Sequence, residues 1–173
     1  ILLKDLELIQ FWFNHPSLRG KVYLNENINP WLALTEDQMK TVYEKWTKRE
    51  RETHLMVETI ENHTPIGLAM WDVQWDPHCP GIDLFIAPDH HRLGYGAETL
   101  QLLLEYLFGH TPAHSVSVWI SELTPERLGF FKKYGFQDQG KLRRASIIDG
   151  RDIGIHVLDL LKREWLAQQQ ANG

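Results

Sequence analysis

The chain has 173 residues, 43% of them hydrophobic, and its 18 basic and 23 acidic side chains give a formal net charge of −5 at pH 7. The excess of acidic residues argues against nucleic acid or an anionic membrane as a partner, and the hydrophobic content argues against disorder. The length suits one domain with a sizeable core, so we expect residues 1–173 to form a single domain.

The first half of the chain predicts two helices followed by strands. Residues 4–14 are expected to form a helix that ends before Pro16. Thr35 is the expected N-cap of a second helix, which has acidic residues in its first turn, and residues 15–34 are expected to be irregular. Three strands are predicted, at residues 53–60, 66–75 and 82–87, with ENHTP as the turn of a hairpin between the first two.

The segment HHRLGYGAET, residues 90–99, places Gly94 and Gly96 after the third strand and before an amphipathic helix. We expect this helix to start after Gly96 and to run to about Gly109. Its apolar face has the spacing i, i+3, i+4 and i+7: Leu100, Leu103, Leu104 and Leu107. A strand, a glycine-bearing turn and a helix start aim free backbone N–H groups at one point, which suits a phosphate or diphosphate. The alternative is a tight turn that binds nothing.

The remainder of the chain completes an α/β pattern. Residues 115–121 alternate apolar and polar side chains and predict a strand. A short helix follows in PERLGFFKKY, with proline in its first turn. Asp149-Gly150 predicts the turn of a final hairpin, and a helix is expected after Lys162. The predicted fold is therefore α/β (α+β), with a mixed, mostly antiparallel sheet of six to seven strands and helices on both faces.

The cysteine content indicates the redox state of the cellular compartment. Cys79 is the single cysteine of these 173 residues, so it has no intrachain disulfide partner. A reducing compartment, the cytoplasm, is the simpler interpretation. We expect no membrane span, because no run of about 18 uncharged apolar residues occurs. The charged residues within residues 1–13 do not fit a signal peptide.

Three motifs, in this order, resemble the GNAT acyl-CoA N-acetyltransferases. Residues 91–96, HRLGYG, are similar to the family's Q/R-x-x-G-x-G/A loop. Residues 124–136, TPERLGFFKKYGF, are similar to N-x-x-A-x-x-F-Y-x-K-x-G-F. The closing sequence GKLRRASIIDGRDIGIHVLDLLKREW resembles the last hairpin and strand of the RimJ/RimL-like branch. The resemblance spans roughly residues 4–165.

The resemblance implies an enzyme that transfers acetyl from acetyl-CoA directly to a primary amine, without an acyl-enzyme. Acceptors in the branch include protein N-termini, polyamines, amino acids and antibiotics. The net negative charge favours a cationic acceptor among these. Dimers are common in the family, so a homodimer is compatible with the resemblance.

The resemblance also implies where the cofactor binds. The diphosphate of CoA would lie on backbone N–H groups of about residues 92–97, where a Cβ at Gly94 or Gly96 would block its approach. The pantetheine arm would lie between the strands at 82–87 and 115–121, which splay apart in the family. The implied cofactor-binding residues are Phe85, Ile86, Ala87, His91, Arg92, Leu93, Gly94, Tyr95, Gly96, Ala97, Thr124 and Phe131.

Departures from the family pattern bear on the cofactor site and on the general acid. His91 replaces Gln or Arg, Thr124 replaces Asn, and Phe131 replaces the Tyr that protonates the departing thiolate in many members. Because Phe has no proton to donate, the general acid is water, another hydroxyl or absent, and the candidate hydroxyls are Ser121, Thr124 and Tyr134.

A carboxylate is the expected general base, since the amine must lose a proton before it attacks. We rank Asp83 first, Glu122 second and Asp72 third; the alternative for Asp83 is an ordinary solvated or ion-paired strand residue. An aromatic wall for the acceptor is expected from Trp71, Trp75 and Trp119, which alternatively belong to the core or the sheet surface. No metal site is expected, because the nine histidines match no usual ligand spacing.

Two rival functions remain open on the sequence. The first is an acyl-CoA binding or sensing module on the GNAT fold that has lost catalysis, which Phe131 and Thr124 motivate. The second is a structural domain whose glycine turn binds nothing. The first predicts CoA binding without acetyl transfer, and the second predicts that a substitution at Gly94 changes no ligand property.

Overall fold

The computed structural model describes residues 1–18, 33–73, 76–148 and 150–172. The helices are α1 Leu6–Phe13, α2 Glu36–Lys48, α3 Tyr95–His110, α4 Pro125–Lys133 and α5 Lys162–Asn172. The strands are β1 Glu52–Glu58, β2 Pro65–Asp72, β3 Gly81–Ile86, β4 Ser115–Ser121, β5 Gln137–Ile148 and β6 Arg151–Leu161. None of the helices within these ranges has the length and the apolar character that crossing a membrane requires.

Among the described residues, six strands form one mixed sheet in the order β1-β2-β3-β4-β6-β5. β3 and β4 run parallel, with Gly81 opposite Ser117. β4 pairs with β6, and β6 with β5, in antiparallel register. The predicted α/β fold with a mixed, mostly antiparallel sheet is thus confirmed, and the six strands fall within the predicted number.

The chain divides into two compact units, and the first comprises Ile1–Met70 and Leu84–Thr99. Its core joins α1 to α2 and to the strand residues that face them. The buried residues of this core are Leu6, Ile9, Trp12, Phe13, Leu34, Met39, Leu68 and Ala87. The core forms because α1 carries apolar side chains at helical spacing, so one face of the helix is removed from water.

The second unit comprises Trp71–Asp83 and Leu100–Gly173. The predicted apolar face of α3 is confirmed, since its four leucines are each at most 5% exposed. The predicted alternation of β4 is also confirmed: Val116, Val118 and Ile120 are at most 1% exposed, whereas Trp119 is 56% exposed. One face of β4 therefore belongs to the core and the other remains accessible.

Several predicted boundaries were wrong. The helix expected at residues 4–14 spans Leu6–Phe13, and the strand expected at residues 53–60 ends at Glu58. α3 starts at Tyr95 rather than after Gly96, so Gly96 lies in the first helical turn and Gly94 alone makes the turn before the helix. β2 ends at Asp72 rather than at residue 75. Gly150 has φ +72°, as the predicted hairpin turn requires. Asp149 lies outside the described residues, as do residues 19–32 of the expected irregular stretch.

The predicted N-cap of α2 is confirmed in a reciprocal form. The Thr35 hydroxyl accepts from the Gln38 backbone N–H at 3.3 Å, and the Gln38 side chain accepts from the Thr35 N–H at 2.9 Å. We expect Thr35→Ala to lower the free energy of unfolding by about 1 kcal/mol, because one helix donor then loses its acceptor. Urea denaturation measures this, with Thr47→Ala in the last turn of α2 as the control. Equal stability of Thr35→Ala and the wild type would contradict the capping role.

Candidate active site

The turn between β3 and α3 alternates the sign of φ. Arg92 has φ +63° and Gly94 has φ +92°, whereas Leu93 between them has a negative φ. Residues of alternating handedness turn their successive backbone N–H groups toward one side, which creates a concave site for an anion. This turn belongs to the first unit and leads directly into the positive N-terminal end of α3.

The backbone donors of this turn are available to a ligand. The N–H groups of Ala97 and Glu98 already donate to the Gly94 carbonyl, at 2.9 and 3.1 Å. For the N–H groups of residues 92–96, no acceptor occurs among the residues that the structure describes. Orphan donors at a helix start require a partner, and a diphosphate offers several acceptor oxygens at once.

The space above Gly94 tests whether a diphosphate fits. A Cβ built on Gly94 meets no atom within 4 Å, so the space over the backbone is open. The φ of +92° also disfavours every residue except glycine. The residues present therefore suit the diphosphate of CoA, which would approach the backbone where a side chain would otherwise project.

His91 links the turn to β3 through a side-chain hydrogen bond. Its Nε2 lies 2.7 Å from the Ile86 carbonyl oxygen, which can only accept, so Nε2 carries the proton. The histidine thus stabilises the turn from the position where the family usually has Gln or Arg. The resemblance to the family loop identified His91, but the sequence did not predict its hydrogen bond to the Ile86 carbonyl.

The strand residues expected to contact the cofactor turn their side chains into the first unit. The Phe85 ring lies 5.9 Å from Trp12 and 5.4 Å from Phe13, between centroids. Ile86 and Ala87 are 8% and 2% exposed. Their predicted role in binding the cofactor remains a prediction, and the structure limits it to backbone contacts for the two buried residues.

Asp83, the first candidate for the general base, is ion-paired within the second unit. Its Oδ1 accepts from Nη2 of Arg127, the third residue of α4. The Asp83 side chain is 46% exposed and that of Arg127 is 30% exposed. Water therefore reaches the carboxylate although a guanidinium holds one of its oxygens.

Asp72, the third candidate, lies on the same face as Asp83. A Cβ built on Gly81 would meet the Asp72 Oδ2 at 3.1 Å. Gly81 and Asp83 are two residues apart on β3, so their side-chain directions point to the same side of the sheet. Asp72 and Asp83 thus form a carboxylate pair on one face of the second unit, which we call the acidic face.

Glu122, the second candidate, has both oxygens engaged. Its Oε2 pairs with Lys141 Nζ, and its Oε1 accepts from the Gly154 N–H at 2.8 Å. The hydrogen bond from Lys141, together with that from the Gly154 N–H, lowers the pKa of Glu122 below its ordinary value of 4.5. A lowered pKa makes a carboxylate a weaker base, so these contacts favour a role in joining β4 to the final hairpin.

The lowered pKa of Glu122 predicts a pH-dependent stability. The folded state binds the proton of Glu122 less readily than the unfolded state, so its contribution is present above pH 4.5 and is lost as the pH falls further. We expect Glu122→Gln to unfold at a lower temperature than the wild type at pH 7, and the difference to shrink below pH 4.5. Thermal unfolding followed by circular dichroism from pH 7 to pH 3 measures it. A difference that stays constant over this range would contradict the assignment.

The candidate hydroxyls for the general acid differ in their bonding. Thr124 is 3% exposed and its hydroxyl donates to the Ser121 carbonyl at 3.0 Å. The Ser121 hydroxyl accepts from the Leu123 N–H at 3.2 Å, which leaves its own proton available within the described part of the chain. Tyr134 caps the C-terminal end of α4, with its ring 5.0 Å from Phe130. Phe131, 1% exposed, is packed edge-on against Phe130 and Phe136.

The tryptophans of the expected acceptor wall have different surroundings. Trp119 presents a largely exposed ring on β4. Trp71 is half-buried, with its ring 5.3 Å from Tyr106. Trp75 lies outside the described residues. Among the described residues, no three His, Cys, Asp or Glu side chains gather into a group that suits a metal ion.

Sequence reasoning missed the partners of the candidate carboxylates. Arg127, Lys141 and Gly154 contact them from elements that are distant in sequence. One signal for Arg127 was visible, because it occupies the alanine position of the N-x-x-A motif. The other two partners follow from the register of the final hairpin, which the sequence does not specify.

Comparison with known proteins found one matching family and several solved structures with a similar fold. The sequence profile of the acetyltransferase (GNAT) family matches residues 15–136. The fold is similar to spermidine N-acetyltransferase from Vibrio cholerae in complex with CoA and spermine, with a TM-score of 0.79, 20% identity, and coverage of 96% of this chain and 95% of that chain. A structure of the Vibrio cholerae spermidine/spermine N-acetyltransferase with manganese ions gives a TM-score of 0.75, 19% identity, and coverage of 97% and 93%. No protein of curated function matches the sequence significantly.

Proposed function

The chain belongs to the acetyltransferase (GNAT) family and is an acetyl-CoA-dependent N-acetyltransferase, and we propose that its acceptor is a polyamine. The observation that carries this proposal is the acidic face, where Asp72 of β2 and Asp83 of β3 point to the same side of the sheet. An ammonium group binds favourably beside a carboxylate, and a second carboxylate favours a substrate with two ammonium groups.

We propose that the glycine turn holds the diphosphate of CoA. The N–H groups of residues 92–96 would donate to its oxygens, and the open space over Gly94 would admit it. When bound, acetyl-CoA supplies an acetyl group activated as a thioester. The chain's own contribution is to orient the amine, to remove its proton and to return a proton to sulfur.

The spacing on the acidic face supports a diamine. Two residues of an extended strand span about 7 Å, and Asp72 Oδ2 lies against the Cβ position of Gly81, two residues from Asp83. A short diamine places its two nitrogens at a comparable separation. The similar Vibrio cholerae enzyme was crystallised with CoA and spermine, a polyamine, which is consistent with this class of acceptor.

Asp83 and Ser121 have the proposed proton-transfer roles. Asp83 removes a proton from the bound ammonium, directly or through water, so that the nitrogen lone pair becomes available for the new C–N bond. Asp72 binds the second ammonium, which stays charged. Ser121 donates its hydroxyl proton to the departing sulfur and takes a proton back from water, since the Thr124 hydroxyl already donates to a carbonyl. Trp119, exposed on β4, is the proposed contact for the methylene chain.

A matched pair of acceptors tests the proposal. We expect 1,4-diaminobutane to have a kcat/KM at least about tenfold above that of 1-aminobutane, because only the diamine offers a second ammonium. Release of the CoA thiol, followed by absorbance, measures both rates. Asp72→Asn should remove most of the preference, whereas Asp152→Asn, in the exposed final hairpin, changes the charge equally and should retain it. Equal rates for the two amines in the wild type would overturn the polyamine proposal.

Finer assignments are part of the same proposal. We place the chain in the RimJ/RimL-like branch on its closing sequence, and in the cytoplasm on its single cysteine. A homodimer is proposed, which sedimentation velocity tests. The net charge of −5 supports a function without a nucleic acid or membrane partner.

The alternative that the sequence raised, a module that binds acyl-CoA without transferring the acyl group, rests on Phe131. The ring is buried among aromatic neighbours and donates no proton. The rival predicts tight CoA binding with no acetylated product from any amine. Formation of acetylated diamine would exclude it.

A further inference from the structure

Arg127 lies at a position in α4 where a positively charged side chain is electrostatically unfavourable. It is the third residue of α4, after Pro125 and Glu126, where the positive end of the helix dipole disfavours a cation. Its guanidinium donates to the Asp83 Oδ1, across 44 positions of sequence. The Asp83 carboxylate offsets the unfavourable position, so the pair depends on both partners.

The pair also controls where the Asp83 carboxylate points. A half-exposed aspartate on a strand has several accessible rotamers, and a guanidinium at one oxygen selects among them. The Arg127 backbone is itself fixed, because its N–H donates to the Thr124 carbonyl at 3.0 Å at the start of α4. The orientation of Asp83 is therefore linked to the start of α4.

We propose that Arg127 is a positioning residue for acetyl transfer, acting through Asp83. The guanidinium holds the carboxylate at an orientation from which it takes the proton of the acceptor ammonium, and it touches neither substrate. This inference rests on the proposed function, because it assigns the proton transfer to Asp83.

The expected result is a split between the kinetic constants. Arg127→Gln should lower kcat for 1,4-diaminobutane about tenfold, because a misoriented base transfers the proton less often. The KM for acetyl-CoA should stay unchanged. Arg127→Lys keeps a cation and should recover part of the lost kcat. Arg144→Gln, which breaks the exposed ion pair between Arg144 and Asp152 in the final hairpin, is the matched control and should retain wild-type constants.

A double-mutant cycle separates positioning from simple stabilisation. If Arg127 acts through Asp83, Arg127→Gln should have little further effect on kcat in an Asp83→Asn background. Thermal unfolding of each variant tests whether the protein remains folded at the assay temperature. Independent, multiplicative losses of kcat would overturn the inference, as would equal loss in Arg127→Gln and Arg127→Lys with a raised KM for acetyl-CoA.

The outcomes distinguish this inference from the proposed function. A wild type that acetylates no diamine overturns both. A wild type that acetylates the diamine, with kcat unchanged in Arg127→Gln, leaves the proposed function standing and overturns the role of Arg127 alone.

Discussion

Replacement of Gly94 by aspartate should abolish acetyl-CoA binding as measured by calorimetry. The wild type is expected to bind, and the variant should lose at least about a hundredfold in affinity. Two effects add: a carboxylate would occupy the open space over the turn and repel the diphosphate, and a φ of +92° strains any residue with a Cβ. Both effects weaken the binding of the diphosphate to the backbone N–H groups of the turn.

Matched variants separate these effects from general damage. Gly150→Asp introduces the same side chain at φ +72°, also into open space, but in the final hairpin. It should bind acetyl-CoA as the wild type does. Gly94→Ala carries the strain without the charge and should bind with intermediate affinity. Tight binding by a folded Gly94→Asp protein would contradict the placement of CoA on this turn.

The second large effect is expected from Asp83→Asn. We expect kcat for a diamine to fall about a hundredfold, within the usual contribution of a general base, because an amide does not take up the proton. Acetyl-CoA binding should be unchanged. Steady-state kinetics with varied acceptor, combined with calorimetry for acetyl-CoA, gives both quantities.

The control for this variant is another carboxylate with a known partner. Glu122→Gln also removes a carboxylate, and the contacts of Glu122 with Lys141 and Gly154 give it a structural role. Its main effect should be on stability rather than on kcat at neutral pH. A larger loss of kcat in Glu122→Gln than in Asp83→Asn would reverse the order of the two candidate bases.

Local sequence patterns predicted most elements of the fold. The bounds of β4 agree with the alternating stretch 115–121, because alternation directly reports which face is buried. Thr35 was identified as a cap because its hydroxyl needs only a donor three residues away. The leucine face of α3 followed from helical spacing. Each of these three patterns involves only residues that are close to one another in sequence.

What the sequence could not predict depends on tertiary placement. Gly94 and Gly96 look equivalent in HRLGYG, but only Gly94 has a positive φ, and the helix already contains Gly96. Phe85 reads as a strand residue, and only the position of α1 shows where its ring is buried.

The contacts of the candidate catalytic carboxylates also depend on residues that are distant in sequence. The sequence supplied the carboxylates Asp83 and Glu122 as the first and second candidates for the general base. Their partners, Arg127 for one and Lys141 with Gly154 for the other, lie 19 to 44 positions away. Because no local pattern encodes such contacts, the structure is needed to show which residues hold each carboxylate.

Acetyl transfer to a polyamine is tested most directly by mass spectrometry of spermidine incubated with acetyl-CoA and the wild-type protein. We expect monoacetylspermidine in amounts equal to the CoA released, and no product without protein. Release of CoA without acetylated spermidine, or no reaction while other primary amines are acetylated, would contradict it.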